Sequence, residues 1–346
     1  MGEGLNERSR QILQAIIEDY TASGEPVGSR AVVRRAALNL SPATVRNVMA
    51  DLEEMGYLYS PHTSAGRVPT EEGYRFYLAS LLQVRELSFS EQEQIRRDYH
   101  FQDLQTDERL REAGRLLSAT SHYTGIVMVP RFTSTVFRRV EFVSLAATKL
   151  LVVFITQSGM VQHKLIEVAE PLNRSQLDEA TNYLNREFSG MTLQEMKVRI
   201  AEEILQERAL YDQLQRRALL LSSQALREEL GGQVYIEGAS NILDQPEFAD
   251  LDKMRRLLRA FEQKSLLVKL LDKTQQVEGV QIFIGSQDEY SEIEGCSLVT
   301  ASYSSPYGTI GTLGIIGPTR MPYSLIIPLV DYTARLVSDI LSSESE

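Results

Sequence analysis

Between residues 6 and 20 the apolar positions are Ile12, Leu13, Ile16, Ile17 and Tyr20, the three- and four-residue spacing of a helix with one buried face. Ser23-Gly24-Glu25-Pro26 interrupts that pattern. Gly28-Ser29 then offers a cap for a short helix over 29–36, with Val32, Val33 and Ala36 inward. After the turn Ala37-Leu38-Asn39-Leu40, Ser41 is an N-cap residue and Pro42 sits at the first helical position, where its missing N–H costs nothing. The helix they open carries an apolar stripe at Val45, Val48, Met49, Leu52 and Met55, and Gly56 is placed to close it. Near its start the other face shows Ala43, Thr44, Arg46 and Asn47, all small or hydrogen-bonding. Helix, helix, turn, helix is the helix-turn-helix order. Tyr57-Leu58-Tyr59 and Arg67-Val68, joined by the turn-rich 60–66, predict a hairpin, so the unit reads as a winged helix. Thr70 caps one more helix, whose apolar face is Tyr74, Tyr77, Leu78, Leu81 and Leu82.

Beyond residue 85 the pattern changes twice. Residues 85–107 are polar and predict a connector; 108–121 predict a helix with Leu110, Ala113, Leu116 and Leu117 inward. Strand patterns follow at 125–129, 140–145, 150–155 and 161–168, with Gln157-Ser158-Gly159 as a hairpin turn. Helical spacing returns near 175–187, 192–205 and 211–230, ended by Gly231-Gly232. A brief strand at 234–236, one helix over 250–272, strands at 280–284, 296–303 and 310–316, and a helix over 324–341 complete the chain. The expected architecture is α+β and multidomain: a winged helix at 1–85, an α+β domain in two halves at 105–170 and 250–346, and a helical insertion at 171–249. The insertion's leucines (Leu205, Leu210, Leu214, Leu219, Leu220, Leu221) suit either a subunit interface or an intramolecular core.

The formal net charge of −11 over 346 residues argues at first against a nucleic-acid partner. The distribution reverses that, because binding depends on where charge lies. No acidic residue occurs from Pro26 to Ala50, which holds Arg30, Arg34, Arg35 and Arg46, or from Met55 to Thr70, which holds His62 and Arg67. On the helix front, Arg46 and Asn47 are the residue types that pair with guanine and adenine edges in the major groove. The plain alternative makes them exposed helix residues, with Arg46 reaching Glu53 or phosphate only. Ser41, Thr44 and the first-turn amides suit phosphate, as does Arg30, and Ala43 on the same front completes the expected DNA-binding set. His62 and Arg67 on the wing either lie against the DNA or only shape the hairpin.

No catalytic set emerges. The four histidines (His62, His100, His122, His163) lack partners at metal-ligand spacing, and neither a nucleophile elbow nor a P-loop is present. Gly308, Gly311, Gly314 and Gly317 do not form a dinucleotide fingerprint and suit close packing along a strand. Neither a cofactor nor a metal is expected, nor an enzyme. The single cysteine, Cys296, excludes an intramolecular disulfide framework. With no apolar run of membrane-spanning length and no secretory pattern at the N-terminus, the expected location is the cytoplasm, in association with the nucleoid.

Three longer motifs resemble one family. Gly24-Glu25-Pro26-Val27-Gly28-Ser29-Arg30, Ser41-Pro42-Ala43-Thr44-Val45-Arg46-Asn47 and Pro61-His62-Thr63-Ser64-Ala65-Gly66-Arg67-Val68-Pro69-Thr70 look like the HrcA family of bacterial heat-shock repressors, and Glu72-Gly73-Tyr74-Arg75-Phe76-Tyr77 continues the match. The resemblance implies a winged helix, a GAF-like domain and an inserted dimerising domain. It further implies a homodimer that binds double-stranded DNA at an inverted-repeat operator, CIRCE, upstream of chaperone operons, with the GroEL chaperonin as modulating partner. A competing expectation makes the GAF-like domain a small-molecule sensor that controls DNA binding.

Overall fold

The computed structural model describes residues 5–35, 40–62, 66–98, 104, 106–129, 136–157, 161–168, 170–192, 195–196, 198–200, 202, 221, 233–275, 279–285, 295–305 and 308–343. Asn6 caps α1 (Glu7–Ser23) by accepting the Ser9 N–H at 2.9 Å, and Gly24, at φ 71°, ends it. α2 (Ser29–Arg35) and α3 (Pro42–Glu54) follow. Ile12, Leu13, Ile16 and Ile17 of α1, Val32 of α2, and Val45, Met49 and Leu52 of α3 close one core. The stripe on α3 stops one turn earlier than its spacing suggests. Met55 is 57% exposed, because the helix ends at Glu54 and the chain reverses at Gly56 into the wing.

The wing pairs β1 (Leu58–Tyr59) with β2 (Val68–Pro69), Tyr59 opposite Val68. Thr70 caps α4 (Glu71–Ser80), accepting the Gly73 N–H at 3.1 Å. The expected connector contains a docked helix, α5 (Phe89–Asp98). Leu87 and Ile95 are buried in the same core as the winged helix, and Arg96 Nε donates to the Tyr332 hydroxyl at 3.0 Å. A buried stripe this narrow leaves a polar composition, which is why the segment reads as a linker.

α6 (Thr106–Ser121) leads into β3 (Thr124–Met128). Then come β4 (Phe137–Ala146), β5 (Lys149–Thr156), β6 (Val161–Glu167) and α7 (Arg174–Phe188). β7 (Val234–Glu237), two 3-10 turns (Ala239–Asp244 and Pro246–Phe248), α8 (Leu251–Glu262) and α9 (Lys264–Gln275) follow. β8 (Val280–Ile284), β9 (Cys296–Ser305), β10 (Gly308–Pro318) and α10 (Tyr323–Ser343) finish the chain. The single helix expected over 250–272 is two, broken at Gln263, whose ψ of 68° leaves the helical region.

The strands form two larger antiparallel sheets. One has the order β7-β3-β10-β9-β8 and the other β4-β5-β6. The five-stranded sheet is covered on one face by α6 and α10, through Leu110, Leu116, Leu117, Ile326 and Val330. α8 and α9 fill its other face with Leu257, Phe261, Leu267 and Leu271 against Ile126, Met128 and Leu298. Gly311 of β10 lies under the Tyr303 ring, where an added Cβ would come within 2.3 Å, so close packing is its role.

The expectation places residues up to 170 in the first half of the α+β domain; among the described residues, β4–β6 form a sheet of their own. Their inner face (Phe137, Val140, Val152, Phe154) buries Leu177, Leu184 and Phe188 of α7 in a core of its own. Period-two alternation shows that a strand has one buried face but not which sheet it joins. β7 returns to the larger sheet by pairing with β3. Of the expected helices near 192–205 and 211–230, residues 193–194, 197, 201, 203–220 and 222–230 lie outside the described residues, as do Ser158 and Gly159 of the hairpin turn and Gly231-Gly232.

Candidate nucleic-acid interface

α3 is set by its cap and its buried back. Ser41 Oγ accepts the Thr44 N–H at 3.1 Å, satisfying one of the helix's orphan donors, and lies 2.9 Å from Thr44 Oγ1. One of those two hydroxyl protons bridges the pair; the other is free for an outside acceptor such as a phosphate oxygen. Val45, Met49 and Leu52 are buried, while Ser41, Ala43, Arg46 and Asn47 are exposed and Thr44 is half-buried. The methyl group of Ala43 leaves the first turn approachable.

The residues expected to act together divide into two groups. Arg46 and Asn47 stand on the exposed front of α3, and among the described residues Arg46 has no ion-pair partner. Glu53, the intramolecular partner considered for it, is held by Arg67 instead, Nη2 to Oε2 at 2.7 Å. Arg30 is exposed in the first turn of α2, where its guanidinium is accessible. His62 is exposed on the wing, its carbonyl accepting the Ser60 hydroxyl at 2.7 Å. Arg67 differs from a free wing cation. Its side chain is only 24% exposed and it ties the wing to α3, the hairpin-shaping alternative for this residue.

Pattern reading missed the link between the two acid-free stretches. Val27 and Arg67 form an antiparallel bridge, each N–H donating to the other's carbonyl at 2.9 Å. The segment before α2 is thereby tied to the wing, which brings the windows at 26–50 and 55–70 together at this point. Gly66 permits the approach: a Cβ there would lie 2.4 Å from the Val27 carbonyl. The signal was present in the two windows, but their pairing spans forty residues and has no local signature. What results is a surface with cations and amide-type donors, no acid in its two segments, and one helix end presented outward. A surface of this kind carries the residue types that bond phosphate and base edges. Cys296 adds no chemistry, since burial pushes its thiol up to about 12.

The same division appears in related proteins. A model described as the winged helix-turn-helix transcription repressor HrcA DNA-binding domain matches residues 4–80, and one described as the HrcA protein C-terminal domain matches 107–327. The heat-inducible transcription repressor HrcA of Geobacter sulfurreducens is 53% identical over 340 residues, covering 98% of this chain and 99% of that protein. The protein of the same name from Syntrophobacter fumaroxidans is 44% identical, covering 99% of each chain. A crystal structure titled only as a hypothetical protein superposes with a TM-score of 0.60 at 23% identity, covering 99% of this chain and all of that one, and shows the shared fold. Among the described residues no helix is long and apolar enough to cross a membrane. These relatives are regulators rather than enzymes, and the chain belongs to the HrcA family of heat-inducible transcription repressors, with a DNA-binding winged helix at its N-terminus.

Proposed function

We propose that this repressor acts as a homodimer on the CIRCE inverted repeat of chaperone operons, with Arg46 and Asn47 reading bases. Arg30, Ser41, Ala43 and Thr44 hold the backbone, and His62 touches DNA from the wing. Arg67 contributes by holding the wing in place. The observation that carries the reading is the exposed Arg46–Asn47 pair on a helix whose back is buried. GroEL as modulator is carried by the family resemblance alone.

Dimerisation has support in the small sheet. Val143, Leu145, Val161 and Leu165 are exposed on β4–β6, and Val143, Leu151 and Leu165 form one row across it. A contiguous apolar face of this kind marks an association surface. A palindromic operator and a two-fold dimer match in symmetry, and one winged helix engages only a half-site. The small-molecule reading finds less support, because α8 and α9 fill the sheet face opposite α6 and α10 with packed side chains. Gel shifts on an inverted repeat test the proposal: sequence-specific retention that Arg46→Ala abolishes supports it, and retention unchanged by that substitution overturns the reader role.

A further inference from the structure

The winged helix is fastened to the larger domain by two arginines donating in opposite directions. From the body, Arg320 sends Nη1 to the Thr21 carbonyl at 2.9 Å, and its Nε and Nη2 bond the Glu247 carboxylate, the latter at 3.4 Å. From the winged helix, Arg75 sends Nη2 to the Ile284 carbonyl at 3.0 Å. Tyr74 of the winged helix also packs on Tyr323 of the body, with ring centroids 6.2 Å apart. Thr21 lies in the last turn of α1, where carbonyls lack helical partners and the helix dipole favours a cation. Gly24 ends α1 there, and the Arg320 Cζ lies 3.5 Å from where a Cβ would stand on it. Arg320 is 14% exposed, and the Glu247 bonds raise its pKa above the ordinary guanidinium value. A planar fork held by a carboxylate through Nε and Nη2 has its plane fixed, and Nη1 is then directed at the Thr21 carbonyl.

We propose that Arg320, oriented by Glu247, is the positioning residue that sets the angle of the winged helix on the body, and so the half-site spacing a dimer accepts. The inference rests on the dimeric inverted-repeat reading. No residue of the junction belongs to the front of α3, so its effect is on geometry rather than on base reading.

The test is binding of the full-length protein to inverted repeats whose spacer is lengthened or shortened in single base pairs. Each step turns one half-site by roughly 35° relative to the other. Wild type is expected to show a sharp optimum. Arg320→Gln and Glu247→Gln are expected to flatten it, losing about tenfold on the best spacer and little on the others, as avidity falls when geometry is no longer held. Binding to an isolated half-site at low salt should match wild type, and thermal melting of each variant reports folding. Glu247→Gln provides the second variant if Arg320→Gln fails to fold. A spacer profile parallel to that of wild type overturns the inference, as does an equal loss on the half-site. A wild-type protein without spacer preference would instead overturn the inverted-repeat reading itself.

Discussion

Arg46 and Asn47 differ from Arg67 in what surrounds them, and the difference separates their expected phenotypes. Arg46→Ala should cost about 1–3 kcal/mol on the operator and blur its sequence preference, the range for a lost bidentate base contact. Titration of matched and base-substituted operators checks this. Arg30→Ala should weaken matched and unmatched DNA alike and flatten the dependence of log affinity on log salt by roughly one unit. A steep change in preference would move Arg30 among the base readers. Arg67→Ala loses a partly exposed ion pair, worth about 1 kcal/mol at most in stability. Its larger effect should be a looser wing, seen as weaker binding with preference intact. Gly66→Ala drives a Cβ into the Val27 backbone and should lower stability by about 1–3 kcal/mol in urea melts, the usual cost of overpacking.

Among the elements, those governed by nearby residues were legible and those governed by distant ones were not. Ser41, Pro42 and Gly56 delimit α3 within a turn of its observed ends, because capping depends on groups three or four residues away. The strands at 280–284 and 161–167 likewise fall where alternation puts them. By contrast, nothing local says that Val27 pairs with Arg67 or that β4–β6 leave the larger sheet. The break at Gln263 escaped as well, since the apolar stripe continues through it from Phe261 to Leu267 while the backbone turns. The front of α3 was readable from residue types and position; the engagement of Arg67 with Glu53 was not, because it crosses from wing to helix.

At the scale of the whole molecule, the winged helix shares a buried core with the body instead of hanging from a linker, and Tyr74 meets Tyr323 across the junction. In the proposed dimer each winged helix is thus carried on a body it is packed against, and the proposed role of Arg320 is to set the angle between them. The small sheet supplies the face through which two bodies meet in the proposed dimer. Leu165→Asp places a charge on that face and should give a species with the mass of one 39.0 kDa chain in light scattering. Wild type is expected at twice that mass. The same variant should lose affinity for the inverted repeat while keeping that for a half-site, because avidity is lost and the α3 surface is untouched.

The central claim is that the front of α3 reads an inverted repeat. Its most direct measurement is footprinting of wild type and Arg46→Ala on the promoters of the organism's own chaperone operons. The account predicts that wild type protects two symmetric half-sites and that Arg46→Ala loses both together at the same protein concentration. Protection of an asymmetric site, or of the same half-sites equally well by Arg46→Ala, would contradict it.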